Sequence, residues 1–139
     1  MSEQLDEMSV YDGHDLEALS DLRNYQRWIV ESFSPYLTGT GVEFGAGIGN
    51  ISQLIRPLVS TLDLVEPSAN LVAPLSQRFE GDTGVAIFGE VLESRLPAIG
   101  DETYDCVVLV NVLEHIEDDG AALEGFFKIL KPGGHLLLF

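Results

Sequence analysis

From Gly41 onward short apolar runs alternate with amphipathic ones, and this alternation restricts the fold more than any other feature of the chain. The segments "GVEF" (41–44), "TLDLVE" (61–66), "GVAIFG" (84–89), "DCVVLVN" (105–111) and "HLLLF" (135–139) have the length and apolar content of strands. Between them "NISQLIRPLV", "SANLVAPLSQRF" and "EHIEDDGAALEGFFKIL" read as helices. Strands separated by helices pair through crossovers, and right-handed crossovers build a parallel sheet with helices on both faces. The fold class is therefore α/β. The unbroken apolar run from Cys106 to Val110 fits a strand covered on both faces. "ESRLPAIGDET" (93–103) reads as a loop, and Pro74 is expected to kink or shorten its helix. In the last helix Leu123, Phe126, Phe127 and Leu130 recur at i, i+3, i+4 and i+7.

Ahead of this core, "DLEALSDLRNYQRWIVESFSPYL" carries Leu16, Leu19, Leu22, Ile29 and Phe33 close to a helical period and runs out near Pro35 and Gly39. This predicts a helix over 14–37 preceding a core at 41–139. Residues 1–13 are polar and read as a loose segment.

A chain of 139 residues that is 45% hydrophobic suits one globular domain. Its 23 acidic and 7 basic residues leave a net charge of −16, spread along the chain. Such a surface repels nucleic-acid phosphates and anionic headgroups, so neither nucleic acid nor membrane is an expected partner. Cys106 is the single cysteine, which excludes an intrachain disulfide framework, and within "CVVLV" it reads as a small buried hydrophobe. No signal-peptide pattern or membrane-length apolar run is visible, and a cytoplasmic location is the expectation. A last strand as apolar as "HLLLF" would expose its edge. The chain is accordingly expected to be a piece of a longer protein truncated after the fifth strand, or to have that edge covered by a partner subunit, as in a homodimer.

In open parallel sheets ligands bind beyond the carboxyl ends of the strands, near the point where the strand order reverses. Polar and glycine residues gather at those ends: Glu43 with Gly45, Ala46 and Gly47, then Glu66, then Gly89-Glu90, then Asn111. "GAGIG" (45–49) departs from the dinucleotide pattern G-x-G-x-x-G, because its third glycine comes one residue early. No arginine or lysine lies in or beside the loop, and Glu43 stands just before it. A pyrophosphate is disfavoured there and a cationic ligand is not. Glu66 lies 17 residues beyond Gly49. Two readings are open for it, a ribose-binding carboxylate or a neighbour of the helix cap at Pro67-Ser68.

The segments "VEFGAGIGN", "LDLVEPS", "FGEVLESRLP", "YDCVVLVNVLEHIEDD" and "ILKPGGHLLLF" resemble, in order and spacing, the class I S-adenosylmethionine-dependent methyltransferases. Among these the likeness is to the small-molecule group that includes quinone-biosynthesis enzymes, and it covers about residues 20 to 139. The resemblance implies a Rossmann-like parallel sheet, here incomplete at the C-terminus, with S-adenosylmethionine as cofactor, S-adenosylhomocysteine as product and a small-molecule acceptor. It further implies that Gly45, Ala46 and Gly47 pass under the methionine part and that Glu43 sits behind the loop near the amino group. Glu66 would take the ribose hydroxyls, and Pro67 would pack on the adenine. Glu90 and Val91 would meet the adenine amino edge, although the family more often has Asp at the position of Glu90. Asn111 would offer its backbone carbonyl to the ammonium. For the cofactor carboxylate, the helix N–H groups after Gly47, or Tyr25 or Arg27 of "NYQRW", are the candidate donors.

Methyl transfer from a sulfonium depends mainly on alignment and exclusion of water, so no catalytic motif is required. His115 is the candidate base for an acceptor that must lose a proton, against a packing or helix-capping role. Glu114 beside it reads as an anchoring or solvated carboxylate. Asp12, His14 and Asp15 read as a turn and helix cap rather than a metal site, and no metal is expected. Tyr11, Tyr25 and Trp28 could line an acceptor pocket or pack a helix. The competing reading is a methyltransferase-like module that holds the cofactor or a partner without turnover. A nicotinamide oxidoreductase is disfavoured by the early third glycine.

Overall fold

The structure, a computed structural model, describes the backbone of residues 13–139 and the side chains from residue 18. Residues 1–12 of the expected loose segment, with Tyr11 and Asp12, and the side chains of His14 and Asp15 lie outside the described residues, while Gly13 already belongs to the first helix. Helix α1 spans Gly13–Phe33 and ends in a 3₁₀ turn at Ser34–Tyr36, where Pro35 stops α-helical bonding. Strands β1 (Thr40–Phe44), β2 (Thr61–Val65), β3 (Val85–Phe88), β4 (Tyr104–Leu109) and β5 (Leu130–Leu138) form one sheet in the order β3-β2-β1-β4-β5. Every pairing is parallel, as the alternation of elements requires. The order reverses between β1 and β4, which creates the crevice where parallel sheets bind ligands.

Two apolar clusters cover the two faces of this sheet. On one side Leu62, Leu64, Cys106 and Val108 meet Ile29 and Phe33 of α1, Ile55 of α2 (Asn50–Ile55), and Leu75 and Phe79 at α3 (Ala69–Arg78). On the other, Val42, Phe44, Val107 and Leu109 meet Leu96 of α4 (Leu92–Ala98) and Ala122, Phe126 and Ile129 of α5 (Asp119–Ile129). Alternate residues of β1 and β4 thus serve opposite faces, and Cys106 is a buried thiol whose ionisation is pushed up by burial. The amino ends of the central strands are tied by Asp105, whose carboxylate accepts from Thr40 N at 2.9 Å and from Lys131 Nζ at 3.2 Å. Among the described residues no helix is long and apolar enough to cross a membrane.

Several elements differ from the sequence expectation. The segment expected as a loop at 93–103 holds α4, because Leu92 and Leu96 are one helical turn apart and both meet the second core. Pro74 sits inside α3 without ending it. The helix expected over 50–59 stops as α2 at Ile55, and Pro57 belongs to a 3₁₀ turn. Strand β4 ends at Leu109, before Val110 and Asn111, and β5 begins already at Leu130, taking in Lys131 to Gly134.

The phase of α5 also differs. Phe126 is 0% exposed, but Leu123 is 38% and Phe127 81% exposed. The buried stripe is Ala122, Phe126 and Ile129, set by Asp118, which caps the helix by accepting from Ala121 N at 3.0 Å. In α1 likewise, Leu19 and Leu22 are exposed while Ile29, Val30 and Phe33 are buried, so only its second half packs on the sheet. Phe126, whose ring centroid lies 5.3 Å from that of Phe44, should cost about 3–5 kcal/mol when replaced by alanine. Phe127→Ala should change stability by about 0.5 kcal/mol or less. Urea unfolding of both variants checks the helix phase, and equal losses would contradict it.

Candidate functional site

The carboxyl ends of β1 and β4 border a cavity of about 440 Å³. The glycine loop forms its floor, Val110 and Asn111 one wall, Leu71 of α3 another, and Gln26 of α1 overhangs it. The loop is bound to the end of β2. Gly45 N and Ala46 N both donate to the Val65 carbonyl, at 2.8 and 3.1 Å, and Gly47 N donates to Glu66 Oε1 at 2.9 Å. The other oxygen of Glu66 accepts from Ser68 N at 2.7 Å. One buried carboxylate therefore joins the loop after β1 to the start of α3.

The glycines divide their work. Gly47 has φ +59, and a Cβ built there meets nothing within 4 Å, so the backbone lies open to the cavity. Gly49 has φ +91, and a Cβ there would lie 2.9 Å from Leu75 Cδ1 and 3.1 Å from Phe79 Cε2. The third glycine is early because it seats α2 against α3, not because it touches a ligand. Asn111 takes a left-handed φ of 55, and its N–H donates to the Phe139 carbonyl at 2.8 Å. Asparagine is among the few side chains that tolerate this conformation.

Glu43 is the electrostatic anomaly of the site. It lines the cavity, yet its side chain is only 2% exposed. Its one hydrogen-bond partner among the described residues is Ser52 Oγ, which donates to Glu43 Oε1. Burial raises its pKa from the usual 4.5 to about 8; the Ser52 hydrogen bond opposes the rise and the neighbouring Glu66 adds to it. The carboxyl is therefore mostly protonated at neutral pH, and the expected negative charge just before the loop is not there in the free protein. The physical reason is that a carboxylate without a cation or several donors is too costly to keep out of water.

The cavity brings together Glu43, Gly45, Ala46, Gly47 and Asn111 of the sequence candidates, with Glu66 bonded to its floor. Pro67, Glu90 and Val91 lie at the neighbouring strand ends outside its lining, with Val91 exposed at the N-cap of α4. His115 stands in a 3₁₀ turn, largely exposed, 3.9 Å from Glu114, and does not line the cavity. Within "NYQRW" it is Gln26 that lines the cavity. Tyr25 instead lies against Trp28 and Phe139, and Arg27 is exposed. The signal for Gln26 was its helical phase relative to Ile29 and Val30, one turn nearer the glycine loop. The helix that follows Gly47 is the six-residue α2, whose first residues Asn50 and Ile51 line the cavity. A larger cleft of about 730 Å³ between α4 and α5 is lined by Leu92, Leu96, Pro97, Ile116 and several carboxylates, and contains none of the candidate residues.

Residues 14–138 match a family model described as a methyltransferase domain. The chain belongs to the methyltransferase domain family. This methyltransferase domain is 28% identical over 133 residues to probable polyketide synthase 40 of Dictyostelium discoideum, covering 78% of the chain and 5% of that protein. It is 29% identical over 109 residues to the ubiquinone/menaquinone biosynthesis C-methyltransferase UbiE of Escherichia coli, covering 60% of the chain and 43% of that protein. In structure it is similar to a SAM-dependent methyltransferase of Leishmania major, with a TM-score of 0.75 and 22% identity over 87% of the chain and 51% of that protein. The five parallel strands and flanking helices are those of the class I, Rossmann-like methyltransferase fold. The chain spans about half or less of the length of each of these relatives.

The pKa of Glu43 gives a test with a definite sign. It is raised on folding, so stability is fully present below about pH 4.5 and is lost as pH rises through about 8. In Glu43→Gln the amide oxygen can still accept from Ser52, and no proton is lost. The variant should match wild type near pH 4.5 and become progressively more stable than it toward pH 8. Chemical denaturation across that range measures the gap, and a gap that does not widen would contradict the assignment.

Proposed function

We propose that this chain forms the cofactor-holding part of a methyltransferase that uses S-adenosylmethionine and delivers its methyl group to a small-molecule acceptor. The observation that carries the reading is the glycine loop, open over Gly47 and held to β2 by Glu66, facing a cavity whose lining, among the described residues, has no lysine, arginine or histidine. A phosphate-bearing ligand would find no cation there, whereas a sulfonium and an ammonium meet carboxyl groups and an uncharged rim. Family membership and the cofactor class of the Leishmania major neighbour support the same ligand.

In this reading Gly45, Ala46 and Gly47 pass beneath the methionine part of the cofactor, and the Asn111 carbonyl meets its ammonium. Glu66 keeps spare acceptor capacity for ribose hydroxyls beyond its two backbone bonds. Pro67, Glu90 and Val91 flank the adenine. Gln26 is the side-chain donor we assign to the carboxylate. When bound, the cofactor supplies an electrophilic methyl on a cationic sulfur, and the protein's part is to align it and exclude water. His115, exposed in its turn, serves as base only for an acceptor that reaches the protein surface there. The −16 charge supports a small acceptor over nucleic acid, a buried lone cysteine suits the cytoplasm, and the outer edge of β5 supports self-association.

Titration calorimetry with S-adenosylhomocysteine and with NAD tests the reading. S-adenosylhomocysteine should bind and NAD should not, and binding of NAD alone would overturn it. Glu66→Ala should weaken binding by roughly tenfold or more, since hydrogen bonds to a charged group are worth about 1.5–3 kcal/mol. Gln26→Ala should weaken it less, by about two- to tenfold. Sedimentation at high concentration should detect dimers if the β5 edge self-associates.

A further inference from the structure

Glu43 is buried within the wall of the cavity, and the groups around it do not offset a negative charge. From α2 it receives one hydroxyl hydrogen bond, that of Ser52. From the end of β2 it faces Glu66, a second acid. Its register partner on β4 is the apolar Val108, and beyond β4 come the uncharged Val110 and Asn111. From α1 the cavity takes the neutral amide of Gln26. Asn50 of the lining accepts a hydrogen bond from the cation Arg78, and that pair is on the exposed side. A carboxyl in these surroundings holds its proton until a positive charge enters the cavity.

We propose that binding is proton-linked: Glu43 is a neutral acid in the free protein and releases its proton to solvent when the ligand's ammonium enters the cavity. This rests on the cofactor reading above and adds to it the protonation state of the site. The O–H bond of the Glu43 carboxyl breaks, the proton goes to buffer, and the carboxylate left behind neutralises the incoming ammonium. The raised pKa of about 8 agrees with the proton being present before binding. With S-adenosylmethionine, whose ammonium, sulfonium and carboxylate sum to one positive charge, the net charge of the occupied cavity is then that of the empty one; with the zwitterionic S-adenosylhomocysteine the new carboxylate is paired with the ammonium and the occupied cavity is one unit more negative. A neutral acid also discriminates: a ligand lacking the ammonium gives no reason for the proton to leave. Affinity for an ammonium-bearing ligand should therefore rise as pH rises toward 8. The linkage slope approaches about tenfold per pH unit where one whole proton is released.

The test is calorimetry of S-adenosylhomocysteine binding between pH 6 and 7.5 in pairs of buffers with different ionisation enthalpies. Over this range the ligand's α-amino group, with an ordinary value of about 7.7–8.0, is mostly protonated and can only take up a proton on entering an acidic cavity, so a released proton comes from the protein. Wild type should release a substantial fraction of one proton per ligand, and its affinity should rise across the range. Glu43→Gln should bind without this release and without the rise. 5′-Methylthioadenosine, which has no amino-acid end, should bind wild type with no proton release. Saturable binding of S-adenosylhomocysteine with no release, or equal release by Glu43→Gln, overturns the proton linkage and leaves the cofactor reading standing. Absence of any binding overturns both.

Discussion

The structure depends on β1 being hydrogen-bonded on both of its edges, to β2 on one side and β4 on the other. The chain leaves β1 toward β2 and β3, then returns across the sheet to begin again at β4. Crossovers in the two directions leave nothing over the carboxyl end of β1, and the cavity is that gap. At the opposite end no gap is tolerated, and Asp105 binds Thr40 and Lys131 together. One end of the sheet is closed by ionic and backbone bonds, and the other is left open for a ligand.

Two acids at the open end are treated in opposite ways. Glu66 accepts two backbone N–H groups, one from the loop and one from the start of α3, and so holds the parts of the site together. Among the described residues Glu43 has only the Ser52 hydroxyl, and it is kept neutral by burial. A buried acid that satisfies no structural need destabilises the fold at neutral pH, and an apolar or amide side chain would fit β1 better. Residues that weaken the fold in this way are expected where a ligand must be met. The same holds for Asn111, placed in a left-handed conformation where the chain turns beside the cavity.

Much of this was legible in the sequence. The parallel sheet followed from alternating elements, and the polar strand ends marked the edge of it at which the cavity lies. The face assignment of individual helices was not legible, for a definite reason. Phe126 and Phe127 are adjacent and equally apolar, and only the cap at Asp118 and the contact with Phe44 decide that the first is buried and the second exposed. Helix α4 was hidden because Pro97 and Gly100 look like loop residues, while its helical signal is only Leu92 and Leu96. Within "NYQRW" the residue types point to the phenolic Tyr25 and the cationic Arg27 as donors, not to Gln26. Which of three consecutive helical residues meets the cavity depends on how α1 rotates to bury Ile29 and Phe33.

By itself, then, the sequence determined the class of fold, the edge of the sheet at which the cavity lies, and a loop unsuited to phosphate, because strand and helix periods and the absence of basic residues are local properties. The charge state of Glu43, the structural duty of Gly49 and the double bond of Glu66 to the loop and α3 were decided by tertiary structure alone. Each depends on what a residue far along the chain brings near: Ser52 and Glu66 beside Glu43, Leu75 and Phe79 above Gly49, and Gly47 against Glu66. Burial and proximity are properties of the assembled chain, and they determine whether a carboxyl group is a charge or a stored proton.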